Sequence, residues 1–289
     1  FLTQSLRSVL DQEYSNFEVL VVDNNSSDNT DDVVLGFKDD RIRLLKIHNK
    51  GVIAASRNLG IRHAKGNWIA FLDSDDIWYK TRINTLINKL TCGKYDVIST
   101  DEMVRNHDIN SLKVLRMGPY TKNFYETMLF YGNRLSTSAT IVRRSFLIDN
   151  NLLFSENKKY ITVEDYDLWM KLAQSGAGFL FIRKPGGEYN IHGENNSSKT
   201  NFHNDNLKIL LTDHINKFKV SSSEKKMLFR KIDLYLSVRE LKQKLSKGIS
   251  FKSFLKLCFL IFANPINSIL IIYTEIIKKI KISNSIMRD

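Results

Sequence analysis

The densest chemistry in this sequence lies in Asn67 to Asp76, NWIAFLDSDD, where an apolar run meets three carboxylates within four positions, Asp73, Asp75 and Asp76. Carboxylates this close repel one another and are costly to desolvate, so in a cleft they call for a cation. Asp73 and Asp75 are two residues apart, and in an extended segment both side chains face the same way and can share one partner. Hard carboxylate oxygens suit Mg²⁺ or Mn²⁺, which bind through one or two carboxylates plus phosphate oxygens of a substrate. A surface turn ending in a helix cap is the plainer alternative.

Other polar groups have a similar double reading. Asp23-Asn24-Asn25-Ser26-Ser27-Asp28 follows the apolar run FEVLVV and serves equally as a ligand-binding edge or as a turn with a helix cap. Glu164-Asp165 reads as favourable charge at a helix start, or as a general base accepting the proton of an attacking hydroxyl. His192, in EYNIHGEN, is an ordinary loop histidine or a neutral imidazole ligand. No glycine-rich phosphate loop of the GxGxxG or Walker type is present, so a metal would have to carry the phosphates.

The elements that must position these groups follow from periodicity. Segments 17–22, 41–47 and 67–72 are short apolar runs expected as strands, the first buried on both faces. Segments 95–100, 138–143 and 178–182 read the same way. Helices are expected at the N-terminus (Leu2, Leu6, Val9, Leu10), over 28–37, 53–64 and 79–90, and over 162–175, where Thr162-Val163-Glu164-Asp165 resembles a capping box. The segment 104–133 reads as loop and short helix. Strands alternating with crossover helices predict an α/β protein with a mostly parallel sheet, both acidic clusters lying at its carboxyl edge.

Bulk properties narrow the classes. With 43% hydrophobic residues, 289 residues can bury a large core. Two distant cysteines, Cys92 and Cys258, argue against a disulfide framework or zinc site and for a reducing compartment. The net charge of +12 is concentrated at one end: from Lys217 to Asp289 there are 16 Lys/Arg against 5 Asp/Glu. The rest is nearly neutral, which removes the case for a nucleic-acid-binding core. A boundary is expected near residue 204, giving 1–203 as the α/β domain that carries the acidic clusters and 204–289 as a basic helical extension. From Leu257 to Thr274 no residue is charged, but Asn264-Pro265-Ile266-Asn267-Ser268 interrupts the run. Two short helices lying on an anionic membrane surface are expected there, against an ordinary helical pair packed on the domain.

Three stretches in order, SLRSVLDQEYSNFEVLVVDNNSSDNT, NKGVIAASRNLGIRHAKGNWIAFLDSDDIW and VEDYDLWMKLAQSG, resemble the family 2 glycosyltransferases of the GT-A fold, which make bacterial surface polysaccharides. The resemblance covers most of residues 1–200. It implies that Asp73-Ser74-Asp75 is a DXD motif, with Asp75 on a divalent metal, Mn²⁺ or Mg²⁺, and Asp73 near the ribose. It implies that Asp23 and Asn24 contact the base, where many members carry Asp at the second place, and that Arg57-Asn58 lines the nucleotide side. Asp165, beside Glu164, would be the catalytic base, and His192 would lie near the diphosphate and metal. A strand expected before residue 1 would complete the sheet and the base site.

The implied reaction is inverting transfer of a sugar from a nucleotide-diphosphate sugar, UDP-linked by expectation, to a hydroxyl of a saccharide acceptor, lipid-linked by expectation. The implied place is the cytoplasmic face of the cell membrane. A sugar nucleotidyltransferase, or a non-enzymatic protein binding a membrane surface, remain the alternatives from other classes.

Overall fold

A computed structural model of the chain describes residues 1–107, 111–192, 200–246 and 279–280. Helix α1 (Leu2–Leu10) seats Leu6 and Val9 against the body. It is followed by β1 (Val19–Asp23), α2 (Thr30–Gly36), β2 (Ile42–Lys46), α3 (Ile53–His63), β3 (Trp68–Ala70), β4 (Ile77–Trp78) and α4 (Arg82–Leu90). The second half holds β5 (Val97–Asn106), β6 (Ser111–Leu115), α5 (Phe124–Tyr131), β7 (Thr140–Arg143), α6 (Arg144–Asp149), α7 (Glu164–Gln174) and β8 (Phe179–Ile191). Two further helices, α8 (Thr200–Asn216) and α9 (Ser222–Ser246), and a short β9 (Lys279–Ile280) complete the described chain.

The architecture is α/β, as expected, but the sheet is mixed. β1 and β2 pair in parallel as a separate ribbon. In the main sheet β5 is the spine. β8 runs parallel along one edge of it, and β7 and then β6 run antiparallel along the other. β3 lies outside β7, β4 pairs with the far end of β8, and β9 lies beside β6. Apolar periodicity marks a strand and its buried face but not its direction, so the reversal of β7 between β3 and β5 could not be read from it.

β1 pairs only with β2, and β3 only with β7, among the described residues. Both strands line one large cavity of about 2110 Å³. Val19 to Val22 line it and are half-buried rather than buried on both faces.

The core that positions the site is aromatic. Phe71, just past β3, meets Phe154 edge-on at 5.2 Å, and Trp169 of α7 lies 6.1 Å from Phe154 and 6.2 Å from Phe71. Burying each such ring stabilises the fold by about 2 to 3 kcal/mol. The same cluster fixes Asp73 two residues beyond Phe71, and Glu164 and Asp165 one turn before Trp169.

Residue 204 marks no break in packing. Leu207, Leu210, Leu211 and Ile215 of α8, and Ile232, Tyr235 and Val238 of α9, belong to the same apolar cluster as Phe71 and Trp169. The uncharged run 257–274 lies outside the described residues. No described helix is long and apolar enough to cross a membrane.

Candidate active site

The acidic stretch after β3 is a turn, with the Asp76 amide donating to Asp73 O at 3.1 Å. Asp73 and Asp75 therefore take different partners instead of the shared one that an extended segment would allow. Asp73 Oδ1 accepts from Arg57 Nη2 at 2.7 Å, while Asp75 Oδ2 lies 3.0 Å from His192 Nε2. His192 in turn stacks under the Phe1 ring, with centroids 4.6 Å apart.

Asp76 is the buried anchor of the turn. Ser138 Oγ donates to its Oδ2 at 2.6 Å and the Asn190 amide to its Oδ1 at 3.0 Å. Burial, the largest cause, pushes its carboxyl up to about 8. Ser138 Oγ also accepts the Asp73 amide at 3.1 Å, and Asn190 Nδ2 donates to Asp75 O at 2.7 Å. The residue two before β7 and the end of β8 thus grip the acidic turn from both sides. Asp76 caps no helix, for α4 starts at Arg82 behind Thr81.

Arg57, on α3, joins the two acidic regions. Its Nη1 donates to Glu164 Oε1 at 2.8 Å, and its guanidinium lies 5.3 Å over Phe154. Burial opposes the charge, yet Asp73 and Glu164 together hold its pKa above the ordinary value. Asp165 follows in the same helix turn. Burial first, and the Glu164 charge second, push its carboxyl up to about 7. Thr137 Oγ1 approaches it at 3.5 Å. A carboxyl poised near neutrality and facing the cavity is suited to accept a proton.

The predicted capping box does not form. Thr162 has φ of 72°, and its hydroxyl meets His203 Nδ1 at 3.1 Å instead of the helix amides. Side chains of α8 hold this segment: Asn206 Nδ2 donates to Ile161 O at 2.8 Å, and Asp213 Oδ2 accepts from Tyr160 Oη at 2.9 Å. Below them His214, fully buried, bridges Asp167 (3.0 Å) and Tyr125 Oη (2.9 Å). A β-branched residue at positive φ is strained, so these bonds keep the entry to α7 in place.

Asp23 and Asn24 lie at the end of β1. Burial raises the Asp23 pKa, but bonds from Ser26 and from Lys46 (3.0 Å) outweigh it and hold the group below its usual range. Asn24 Nδ2 donates to Asn49 Oδ1 at 2.6 Å, and Asn49 also takes the Val52 amide at the start of α3. Asn58 faces elsewhere: it donates to Phe154 O and Glu156 Oε1 and accepts from Phe154 N. It is 1% exposed and is not part of the cavity wall, so its visible role is to pin 154–156 to α3.

One cavity is therefore lined by Asp23, Asn24, Arg57, Asp73, Asp75 and Asp165. Among the described residues no group of three or more His, Cys, Asp or Glu side chains is arranged to hold a metal. The Asp75–His192 pair still offers two donors of types that Mn²⁺ accepts, with phosphate oxygens and water able to fill the other positions.

Carboxylates thus line a cavity beyond the carboxyl ends of β1 and β3, the edge at which ligands bind in open α/β sheets. The chain belongs to Glycosyl transferase family 2, whose profile matches residues 1–149. It is 32% identical over 178 residues to the UDP-Glc:alpha-D-GlcNAc-diphosphoundecaprenol beta-1,3-glucosyltransferase WfgD of Escherichia coli, a match spanning 59% of this chain and 64% of that enzyme. The fold resembles that of S. aureus TarS 1-349 in complex with UDP-GlcNAc, with a TM-score of 0.63 and 18% identity over 96% of this chain and 84% of the other. It also resembles the mannosyltransferase PcManGT of Pyrobaculum calidifontis in complex with GDP-Man and Mn2+, with a TM-score of 0.57 and 16% identity over 95% of this chain and 82% of the other. At such identities these two structures establish the fold alone.

Proposed function

We propose that the protein transfers a sugar from a UDP-sugar to a hydroxyl of a saccharide carried on a lipid diphosphate, with inversion at the anomeric carbon. The observation that carries this reading is Arg57. It ties Asp73, on the acidic turn, to Glu164, whose neighbour Asp165 has a carboxyl poised near neutrality in the same cavity. The WfgD name, with its UDP-Glc donor and diphosphoundecaprenol acceptor, supports the choice of substrates.

In this reading Asp23 and Asn24 border the base and Asp73 the ribose. Asp75 and His192 would hold Mn²⁺ or Mg²⁺, and when bound such a cation neutralises charge on the departing diphosphate. Asp165 takes the proton of the acceptor hydroxyl as its oxygen bonds to the anomeric carbon and the bond to the nucleoside diphosphate breaks. Beside Asp165, the Glu164 charge raises its pKa, while Arg57, paired with Glu164, lowers it. A lipid-linked acceptor places the reaction at a membrane surface, on its cytoplasmic face in this reading, and the basic C-terminal region suits anionic lipid.

Titrating UDP-, GDP- and dTDP-sugars with Mn²⁺ and again with chelator tests the donor assignment. Tight binding of a UDP-sugar only with the metal is the expected result. Equal binding in chelator, or preference for another base, would count against it.

A further inference from the structure

Of the pair Asp23 and Asn24 at the carboxyl end of β1, it is Asn24 that keeps groups for a ligand. Asp23 is buried, and its two oxygens are engaged: Oδ1 accepts the Ser26 amide at 3.0 Å and Oδ2 accepts from Lys46 Nζ at 3.0 Å. Asn24 is half-buried and lines the cavity. Its side-chain amide makes two contacts, both to Asn49. Nδ2 donates to Asn49 Oδ1 at 2.6 Å, and Oδ1 accepts the Asn49 main-chain amide at 3.3 Å. One N–H and one oxygen lone pair of Asn24 remain.

Asn49 stands behind the wall and does not line the cavity. Its orientation is set by backbone groups whose roles cannot be exchanged. The Val52 amide can only donate, and it meets Asn49 Oδ1 at 2.8 Å; the Val52 carbonyl can only accept, and it meets Asn49 Nδ2 at 3.1 Å. Lys50 and Gly51, at φ of 60° and 80°, fold the chain back between the two.

With Asn49 fixed, a half-turn of the Asn24 amide is opposed twice. It would set an oxygen against Asn49 Oδ1 and an N–H against the Asn49 N–H, leaving like groups facing each other. Asn24 therefore offers a donor on one side and an acceptor on the other, and does not interchange them.

This distinction matters to a pyrimidine base. Uracil has an acceptor at O4 and a donor at N3, whereas cytosine has an amino donor at N4 and an acceptor at N3. An amide that turns at will satisfies either base. A fixed amide suits one and opposes like groups in the other, and a site built to hydrogen-bond its substrate rejects such a mismatch.

We propose that Asn49 is a specificity-determining residue, which fixes the direction of the Asn24 amide and thereby makes the base site select uracil over cytosine. It is a positioning residue that acts through Asn24. The inference rests on the transfer reading above, which sets the base beside Asn24, and adds what fixes the choice of base.

Calorimetry with Mn²⁺ and three probes, UDP, CDP and inorganic pyrophosphate, tests this. Wild type should bind UDP more tightly than CDP. Asn49→Ala should shrink the ratio of CDP Kd to UDP Kd by about fivefold or more, the size of one hydrogen bond. Pyrophosphate has no base, and its Kd should stay within about twofold of wild type. Asn49→Asp keeps an acceptor for both the Val52 amide and Asn24 Nδ2, so it should preserve the ratio even where its melting temperature falls. In an Asn24→Ala background, adding Asn49→Ala should leave the ratio where it was. An unchanged ratio in a folded Asn49→Ala protein overturns the inference, as does loss of the ratio in Asn49→Asp. Equal weakening toward all three probes also overturns it, since Asn49 would then act through packing of α3, and so does the same shift with and without Asn24. Equal binding of UDP and CDP by wild type overturns it as well. Preference of wild type for CDP or a purine nucleotide would instead count against the donor assignment in the transfer reading.

Discussion

Ser138 and Asp76 meet at 2.6 Å across 62 residues of chain, and through this contact the segment leading into β7 holds the acidic turn that follows β3. Ser138 also accepts the Asp73 amide, and Trp78 Nε1 donates to Ser138 O at 2.9 Å, so one serine organises both ends of the turn. Asp76→Ala should orphan the buried Asn190 amide and cost about 2 kcal/mol. Asp76→Asn keeps an acceptor for that amide and a donor toward Ser138, and should cost much less. Thermal melts of the two variants check this. Equal loss in both would contradict the geometry.

Arg57 is the shared partner of Asp73 and Glu164, and the Glu164 side chain is 9% exposed. Arg57→Ala leaves that carboxylate buried and unpaired, a loss of about 3 kcal/mol. Arg57→Lys retains charge but not the fork that spans two carboxylates, so its melting temperature should fall between those of wild type and Arg57→Ala.

The Asp165 carboxyl gives a pH signature with a definite sign. Its pKa is raised from 3.8 to about 7 by burial and the Glu164 charge. Below the unfolded value both states are protonated and the group contributes nothing. As pH rises from there to about 7, the unfolded chain loses its proton first and stability falls, and above that the penalty is constant. Asp165→Asn should therefore raise the melting temperature more at pH 8 than at pH 4. In the wild-type enzyme kcat/KM should climb through about pH 7 and then level. A profile flat from pH 5 to 8 would remove Asp165 from the role of base.

The α8 contacts make a prediction of a different kind. Asn206→Leu removes the donor to Ile161 O and loosens the strained entry to α7. It should lower kcat by an order of magnitude or so while leaving donor KM nearly unchanged, because the donor side of the cavity is untouched. A change confined to donor KM would show that α8 does not position Asp165.

Much of this was legible in sequence because it is local. The apolar runs 17–22, 41–47 and 95–100 became β1, β2 and the first half of β5. The family motifs brought Asp73, Asp75 and Asp165 into consideration. Their confluence with Asp23 and Arg57 on one cavity wall is a tertiary fact. What could not be read depends on distant partners. β5 continues to Asn106 through Asp101 and Glu102, which look like loop residues, yet Asp101 is fully buried against Arg116 and the Met117 amide, and Glu102 is buried beside Ser136. Asn190 gave no signal, because its importance lies in a turn more than 100 residues away. Thr162 looked like a cap because the sequence pattern fits one. Its hydroxyl instead satisfies a histidine that only the docking of α8 brings near.

The central claim is that Asp165 is the base of an inverting transfer. The most direct test supplies UDP-glucose, Mn²⁺ and N-acetylglucosaminyl diphosphate on a short isoprenoid, then follows UDP release and reads the new linkage by NMR. The account predicts a β-linked disaccharide from wild type, and from Asp165→Asn no product despite donor binding close to wild type. An α-linked product, or full transfer by Asp165→Asn, would contradict it.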